Sequence, residues 1–212
     1  MSKRLLIIGA GGHGKVAADC AESMEIFEQI AFLDGEFPQL RQVAKWPVIG
    51  DGKDLALDSG FDTAFFVAIG DNRTRQKLLS ALFAKSCEVA TLIHPSAVIS
   101  KYAQIAEGSL VCANAVINVD TKIGRGCIIN TSATVDHDCQ VEDYVHLAPG
   151  TRLAGTIKIG TGSFTGIGSV IISGKLVGKF CTLGAGSTLL NDLSDFSVAV
   201  GTPAKVIKKN EN

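Results

Sequence analysis

"VINVDTKIGRGCIINTSATVDHDCQVEDYVHLAPGTRLAGTIKIG", residues 116–160, keeps one count of six throughout. Ile117, Ile123, Ile129, Val135, Val141, Leu147, Leu153 and Ile159 all fall on it. Followed outward in both directions, the count runs from Ile93 to Leu189 without a skip. It takes in 17 positions, of which 16 are aliphatic; the exception, Thr165, is β-branched. A period of six matches neither a helix at 3.6 residues nor a plain strand at 2. It predicts a two-part unit, a short strand and a turn, stacked as a parallel β-helix. The aliphatic residue of each unit points inward onto its equivalent one coil away. The residue four places later is small at most steps (Ser109, Ala115, Thr121, Cys127, Ala133, Cys139, Thr151, Ser163, Cys181) and fills the corner of the interior. The three cysteines in that series read as compact apolar fillers. The glycines that follow the aliphatic residue, at 124, 160, 166, 178 and 184, are expected to take backbone angles that other residues avoid.

The first ninety residues keep a different rhythm. "RLLIIGAGGHGKVAADCAES" reads as a buried strand (4–8), a glycine turn (9–14) and a helix (about 13–24). "QIAFLDGE" (29–36) is a second strand, and "TAFFVAIGDN" (63–72) a third, followed by a helical stretch (73–85). Alternating strands and helices predict a small Rossmann-like parallel α/β sheet. The chain is therefore expected to hold two domains, 1–92 and 93–212, the second ending in a short tail. The turn Gly9-Ala10-Gly11-Gly12-His13-Gly14 lies after a strand and before a helix, where backbone N–H groups face an anion. Asp34, 20 residues beyond Gly14, falls where a ribose or base contact is expected. Ninety residues suit a mononucleotide better than a dinucleotide. His13 serves either as a ligand contact or as a hydrogen-bonding group at the helix start.

Composition bounds the rest. The 212-residue chain is 46% apolar and 19% charged, with 23 glycines and a net charge of −1. That charge leaves no basic footprint for nucleic acid. Its six cysteines form no CxxC pair or zinc-type spacing. Four scattered histidines, with one cluster at 136–139 too compressed to converge on an ion, predict no metal. No apolar run reaches the ~20 residues of a membrane span. The expectation is a cytoplasmic, reduced protein.

"TVDHDC", 134–139, carries the chemistry. His137 follows the inward Val135 by two, so it is expected to point away from the β-helix interior. Asp138 either orients the imidazole or caps the turn, and Asp136 reads as a turn residue. Lys205, Lys208 and Lys209 read as a solvated tail.

"GAGGHG", "FLDGE", "FFVAIGDN", "LIHPSAVIS", "NTSATVDHDCQVEDYVHLAPG" and "VAVGTPAKVI" together resemble the sialic-acid O-acetyltransferase / nucleotide-amino-sugar N-acetyltransferase family of hexapeptide-repeat acyltransferases. The resemblance runs over nearly the whole chain. It is greatest to the members that N-acetylate UDP-4-amino-4,6-dideoxy sugars on the route to di-N-acetylbacillosamine. It implies a left-handed β-helix with three hexads to each coil. It also implies a homotrimer with acetyl-CoA in a groove between subunits, and a UDP-linked amino sugar as acceptor. Carried over by position, His137 would be the catalytic base and Asp138 its orienting acid. Gly11, Gly12, His13, Asp34, Gly35 and Gly70 match the nucleotide-sugar site, and Asn130 a polar residue near the amine. His146, Ile167 and Ala185 match acetyl-CoA contacts. His146 is alternatively a trimer-interface residue. Ala185 stands where some relatives have glycine, which a backbone contact would tolerate and a positive φ would not. O-acetylation of sialic acid or another sugar, and N-acetylation of a GDP- or dTDP-linked perosamine-type sugar, stay open. So does a non-catalytic scaffold.

Overall fold

A computed structural model of the chain describes residues 3–53 and 62–210. The chain divides into two compact units, Met1–Pro95 and Ser96–Asn212.

The first unit is an α/β sheet built on β1 (Lys3–Ile8), with helix α1 (Gly12–Ser23), β2 (Gln29–Leu33), β3 (Gln42–Val43), β4 (Trp46–Gly50), β5 (Asp62–Val67), helix α2 (Asn72–Ala84) and β6 (Glu88–Val89). The strand order is β3-β4-β2-β1-β5-β6, and only the β3–β4 pair is antiparallel. Leu5, Leu6 and Ile7 are all buried, as a central parallel strand covered on both faces requires. α1 buries its alanine face, Ala17, Ala18 and Ala21. α2 starts at an Asp71 cap whose side chain accepts the Thr74 N–H at 2.8 Å. Two strands are shorter than their sequence suggests. The second ends at Leu33 and the third at Val67, because the glycine-bearing segments beyond them turn away as loops. The β3–β4 hairpin has no forerunner in the sequence reading: β3 is two residues long, and Pro47 disguises β4 as a loop. Two-residue strand β7 (Leu92–Ile93) ends the unit. Among the described residues, no helix is long and apolar enough to cross a membrane.

The second unit is the parallel β-helix. Sixteen two-residue strands, β8 to β23, recur every six residues from Val98–Ile99 to Thr188–Leu189. Each pairs in parallel with the strand three hexads away, so the prism has three faces. One stacks Ile99, Ile117, Val135, Leu153, Ile171 and Leu189. The second stacks Ile105, Ile123, Val141, Ile159 and Val177. The third stacks Val111, Ile129, Leu147, Thr165 and Leu183. From Val111 onward every residue of the six-count is buried. Thr165, the exception in the count, is 1% exposed, and its hydroxyl meets that of Thr151 at 3.0 Å. Ser163 and Ser109, polar residues at the small inward position, are satisfied by the backbone. Ser163 Oγ donates to the Gly178 carbonyl at 2.8 Å and accepts the Cys181 N–H at 2.9 Å; Ser109 does the same with Gly124 and Cys127.

The glycines do two separate jobs, and the expectation about them needs correction. The left-handed backbone angle falls three places after the aliphatic residue, at Gly108, Asn114, Asp120, Gly126, Ser132, Asp138, Tyr144, Gly150 and onward every six residues to Gly186. Gly124, Gly160, Gly166 and Gly178 are not among those residues. They are glycine because the next coil passes too close: a Cβ on Gly160 would stand 2.6 Å from the carbonyl carbon of Gly178.

The C-terminal segment also differs from a solvated tail. β24 (Ser197–Gly201) joins the third face beside Thr182–Leu183, and β25 (Ala204–Lys209) turns back antiparallel to it. Lys209 Nζ donates to Ser194 Oγ, the Asp195 carbonyl and Ser197 Oγ at 2.7–3.0 Å. A strand exposed along almost its whole length has no inward apolar stripe, so three lysines concealed it.

Candidate active site

The corner that follows Thr134–Val135 is built from the residues around it. Thr121, one coil earlier, donates its hydroxyl to the Asp136 carbonyl at 2.7 Å. Asn118 donates to Asp136 Oδ1 at 2.8 Å, and the same oxygen accepts the His137 N–H at 2.8 Å. Those two hydrogen bonds hold the Asp136 carboxyl below the usual carboxylate range, the His137 N–H contributing most. Asp136 thus shapes the turn, as its sequence predicted.

Asp138 takes the left-handed angle, φ 58°, a conformation Asp tolerates better than most residues. The bend turns its carboxylate back onto the neighbouring ring: His137 Nδ1 meets Asp138 Oδ2 at 2.8 Å. That hydrogen bond raises the imidazole pKa above the ordinary histidine value. The small desolvation opposes it, and the charges of Asp136 and Asp138 add to it. With Nδ1 donating to the carboxylate, the ring's lone pair is on Nε2. The side chains of His137 and Asp138 are 51% and 57% exposed, so the imidazole does point away from the prism interior.

A second group lies along another edge. Asn130 Oδ1 accepts the Thr131 N–H at 2.8 Å, which fixes the amide so that its Nδ2 faces His146 Nε2 at 3.1 Å. A donor aimed at Nε2 makes that nitrogen the acceptor, so the His146 proton is on Nδ1. The His146 ring packs edge-on to Phe164, 5.2 Å between centroids. Ile167, 62% exposed, and Ala185 hold equivalent positions in adjacent coils, on the corner between the third face and the first. The left-handed angle there belongs to Gly186, not Ala185, so alanine at 185 meets no backbone strain.

His137 and Asp138 occupy the corner between the first and second faces. Asn130, His146, Ile167 and Ala185 belong to the third face and the corner after it. A single prism therefore brings each set together, and carries the two sets on different edges.

In the first unit the glycine turn is held by Asp34. Its Oδ2 accepts the Ala10 N–H at 2.7 Å and its Oδ1 the Glu36 N–H at 3.0 Å. Gly9, at φ 101°, and Gly14, packed on the Gly9 carbonyl, are the glycines the turn itself demands. Gly11, Gly12, Gly35 and Gly70 have open space where a side chain would be. His13, second residue of α1, is pushed down to about 4 by burial and then by the Arg75 charge, so it is neutral at pH 7. Arg75 was not singled out from the sequence. It is fully buried, and its guanidinium donates to the carbonyls of Ile69 and Gly70 at 2.9 and 3.2 Å and to Asn72 Oδ1 at 2.7 Å. The signal was there: Arg75, Leu79 and Leu82 keep helical spacing on one buried face. Among the described residues, no three His, Cys, Asp or Glu side chains gather as a metal site.

Hexads wound into a three-faced prism, with a carboxylate-held histidine on a corner, define the class of hexapeptide-repeat acyltransferases. The bacterial transferase hexapeptide family matches residues 120–155, and the PglD N-terminal domain family matches residues 4–82. The acetyltransferase domain of PglB from Neisseria gonorrhoeae FA1090, in complex with acetyl coenzyme A, is 38% identical with a TM-score of 0.93; the likeness covers 98% of this chain and 100% of that one. An H-to-A mutant of GDP-perosamine N-acetyltransferase from Caulobacter crescentus, in complex with CoA and GDP-perosamine, is 39% identical with a TM-score of 0.89, covering 97% of each chain. UDP-N-acetylbacillosamine N-acetyltransferase from Bacillus subtilis (strain 168) is 36% identical over 113 residues, 52% of this chain and 52% of its own. The matched stretch is about half the length of the curated relatives. The chain belongs to the nucleotide-amino-sugar N-acetyltransferase family.

Proposed function

We propose that the protein transfers the acetyl group of acetyl-CoA to the 4-amino group of a UDP-linked 4-amino-4,6-dideoxy sugar. The observation that carries the reading is the 2.8 Å contact between His137 Nδ1 and Asp138 Oδ2, with the His137 side chain half-exposed on its corner. A neutral amine attacks the thioester carbonyl, and His137 Nε2 takes the ammonium proton as the C–N bond forms. Collapse of the tetrahedral intermediate breaks the C–S bond, and the imidazolium returns the proton to the departing thiolate. Asp138 fixes the ring tautomer and favours the imidazolium. A backbone N–H of a prism turn meets the developing oxyanion.

The nucleotide is assigned to the turn of Gly11, Gly12 and His13 with Asp34, Gly35 and Gly70, where the open N-terminal end of α1 faces a diphosphate. Acetyl-CoA is assigned to the edge carrying His146, Ile167 and Ala185, with Asn130 towards the amine. Because the two sets of prism residues lie on different edges, a complete site takes one edge from each of two copies, which supports a homotrimer.

Incubating the protein with acetyl-CoA and the UDP-linked amino sugar should release free CoA; none above background rejects the reading. His137→Ala should lower turnover by ~10²–10⁴-fold with near-normal melting. The 39% identity to a GDP-perosamine N-acetyltransferase favours a second reading, the same transfer to a GDP-linked sugar. A larger thermal shift with GDP than with UDP would select it.

A further inference from the structure

Residues 119, 137 and 155 occupy the same corner position in three successive coils. The coil before His137 presents Val119 there and the coil after presents Gly155. A Cβ placed on Gly155 would fall 2.5 Å from both Cε1 and Nε2 of His137 and 3.1 Å from its Cδ2, its three nearest neighbours. The backbone itself does not ask for glycine at 155. The left-handed angle of that turn is taken by Thr156, φ 62°, and no main-chain atom of the next coil comes closer than those ring atoms, in contrast to Gly124, Gly160 and Gly166. What occupies the place of the missing side chain is the imidazole. The coil is fixed around it, since the Thr156 N–H donates to the His137 carbonyl at 2.9 Å and the Gly174 N–H to the Gly155 carbonyl at 3.0 Å.

We infer that Gly155 is a positioning residue, a bare seat on which the Cε1–Nε2 side of the His137 ring lies so that Nδ1 stays on Asp138. A methyl group at 155 cannot move the hydrogen-bonded coils, so the exposed imidazole gives way and leaves Asp138. The inference rests on the reading of His137 as the base. The charged groups acting on the ring are Asp136 and Asp138 on its own turn. Val119 and Gly155, which flank it, carry no charge.

The test is Gly155→Ala in the full chain, read three ways. Turnover should fall about tenfold or more, with the KM for acetyl-CoA and the melting temperature unchanged. The His137 Cε1–H signal, identified by its loss in His137→Ala, should titrate nearer the ordinary histidine pKa than in the parent, where Asp138 holds it high. In a His137→Ala background the same alanine should cause no further loss, because the group it displaces is gone. An unchanged His137 titration overturns the inference, whether turnover falls through a raised acetyl-CoA KM or the fold itself loosens. So does a loss of equal size in the His137→Ala background. Failure of the catalytic reading looks different: His137→Ala would then keep parental turnover, while the titration would still report whether the ring had moved.

Discussion

At the scale of the residue, the corner at 136–139 works because one backbone angle does two jobs. The prism takes a left-handed residue at this step of each hexad from Gly108 to Gly186, and the chain spends one on an aspartate whose carboxylate then reaches back to the preceding imidazole. Asp138→Asn separates the two. Asparagine accepts the left-handed angle as well as aspartate does, so the turn survives. The charge-assisted hydrogen bond does not, and the imidazole pKa falls. A base acts only when unprotonated, so activity is present above its pKa and lost as pH drops through it. In the parent that acid limb lies above the ordinary histidine value, because Asp138 raises it. In Asp138→Asn the limb should move to lower pH while the plateau falls by about tenfold or more. Profiles of kcat/KM against pH measure both. A limb that stays in place removes Asp138 from the mechanism.

At the scale of the element, sequence spacing located the prism strands, and it missed what keeps adjacent coils in contact. Two kinds of corner glycine stand two residues apart in the chain, as at Gly160 and Gly162, yet they answer different constraints. Gly160 yields to the backbone of Gly178 and Lys179, whereas Gly174 has φ 72° and open space around it. Gly160→Ala should therefore cost about 1–3 kcal/mol through forced backbone shifts, and Gly174→Asn less than about 1 kcal/mol, since asparagine visits that region. Urea midpoints compare them; equal costs would mean that close approach is not the constraint. The start of α1 carries a different prediction. His13 titrates near 4 in the folded chain against 6.5 when free, burial being the larger cause. Above pH 6.5 both states are neutral, and the full stability is present. As pH falls towards 4, the unfolded chain takes up the proton and the folded chain does not, so stability declines. Between pH 6.5 and 5 the decline should reach up to about 2 kcal/mol, and His13→Gln should flatten it in melts across that range.

At the scale of the whole molecule, the six-count made the prism legible, because an inward aliphatic residue recurs with no insertion from Ile93 to Leu189. The strand–helix alternation likewise gave the α/β sheet. Short strands exposed on most sides, β3 and β25, were not legible, since neither buries a stripe that marks it. Of the site, His137 and Asp138 could be read from one hexapeptide, because a hydrogen bond between neighbours in sequence needs no tertiary knowledge. Gly155 could not, since its partner lies a full coil away; Arg75 showed only through its helical spacing with Leu79 and Leu82, and its carbonyl partners on the loop before α2 were not legible. The two units also offer separate reporters of ligand binding. Trp46, the single tryptophan of the chain, is buried in β4 of the first unit, where it packs edge-on to Phe32 at 6.2 Å. Its fluorescence follows the unfolding of that unit, whereas the many short strands of the prism dominate a far-ultraviolet signal. A nucleotide bound at the glycine turn stabilises by about 2.7 kcal/mol at a hundred times its Kd. For a unit the size of Met1–Pro95 that moves its transition by roughly 10–20 °C. Saturating UDP should therefore raise the Trp46 transition by that amount in the parent and by much less in His13→Ala, while CoA should act chiefly on the far-ultraviolet transition. A Trp46 transition that UDP leaves in place, with turnover on the UDP-linked sugar intact, would move the nucleotide away from the glycine turn and onto the prism.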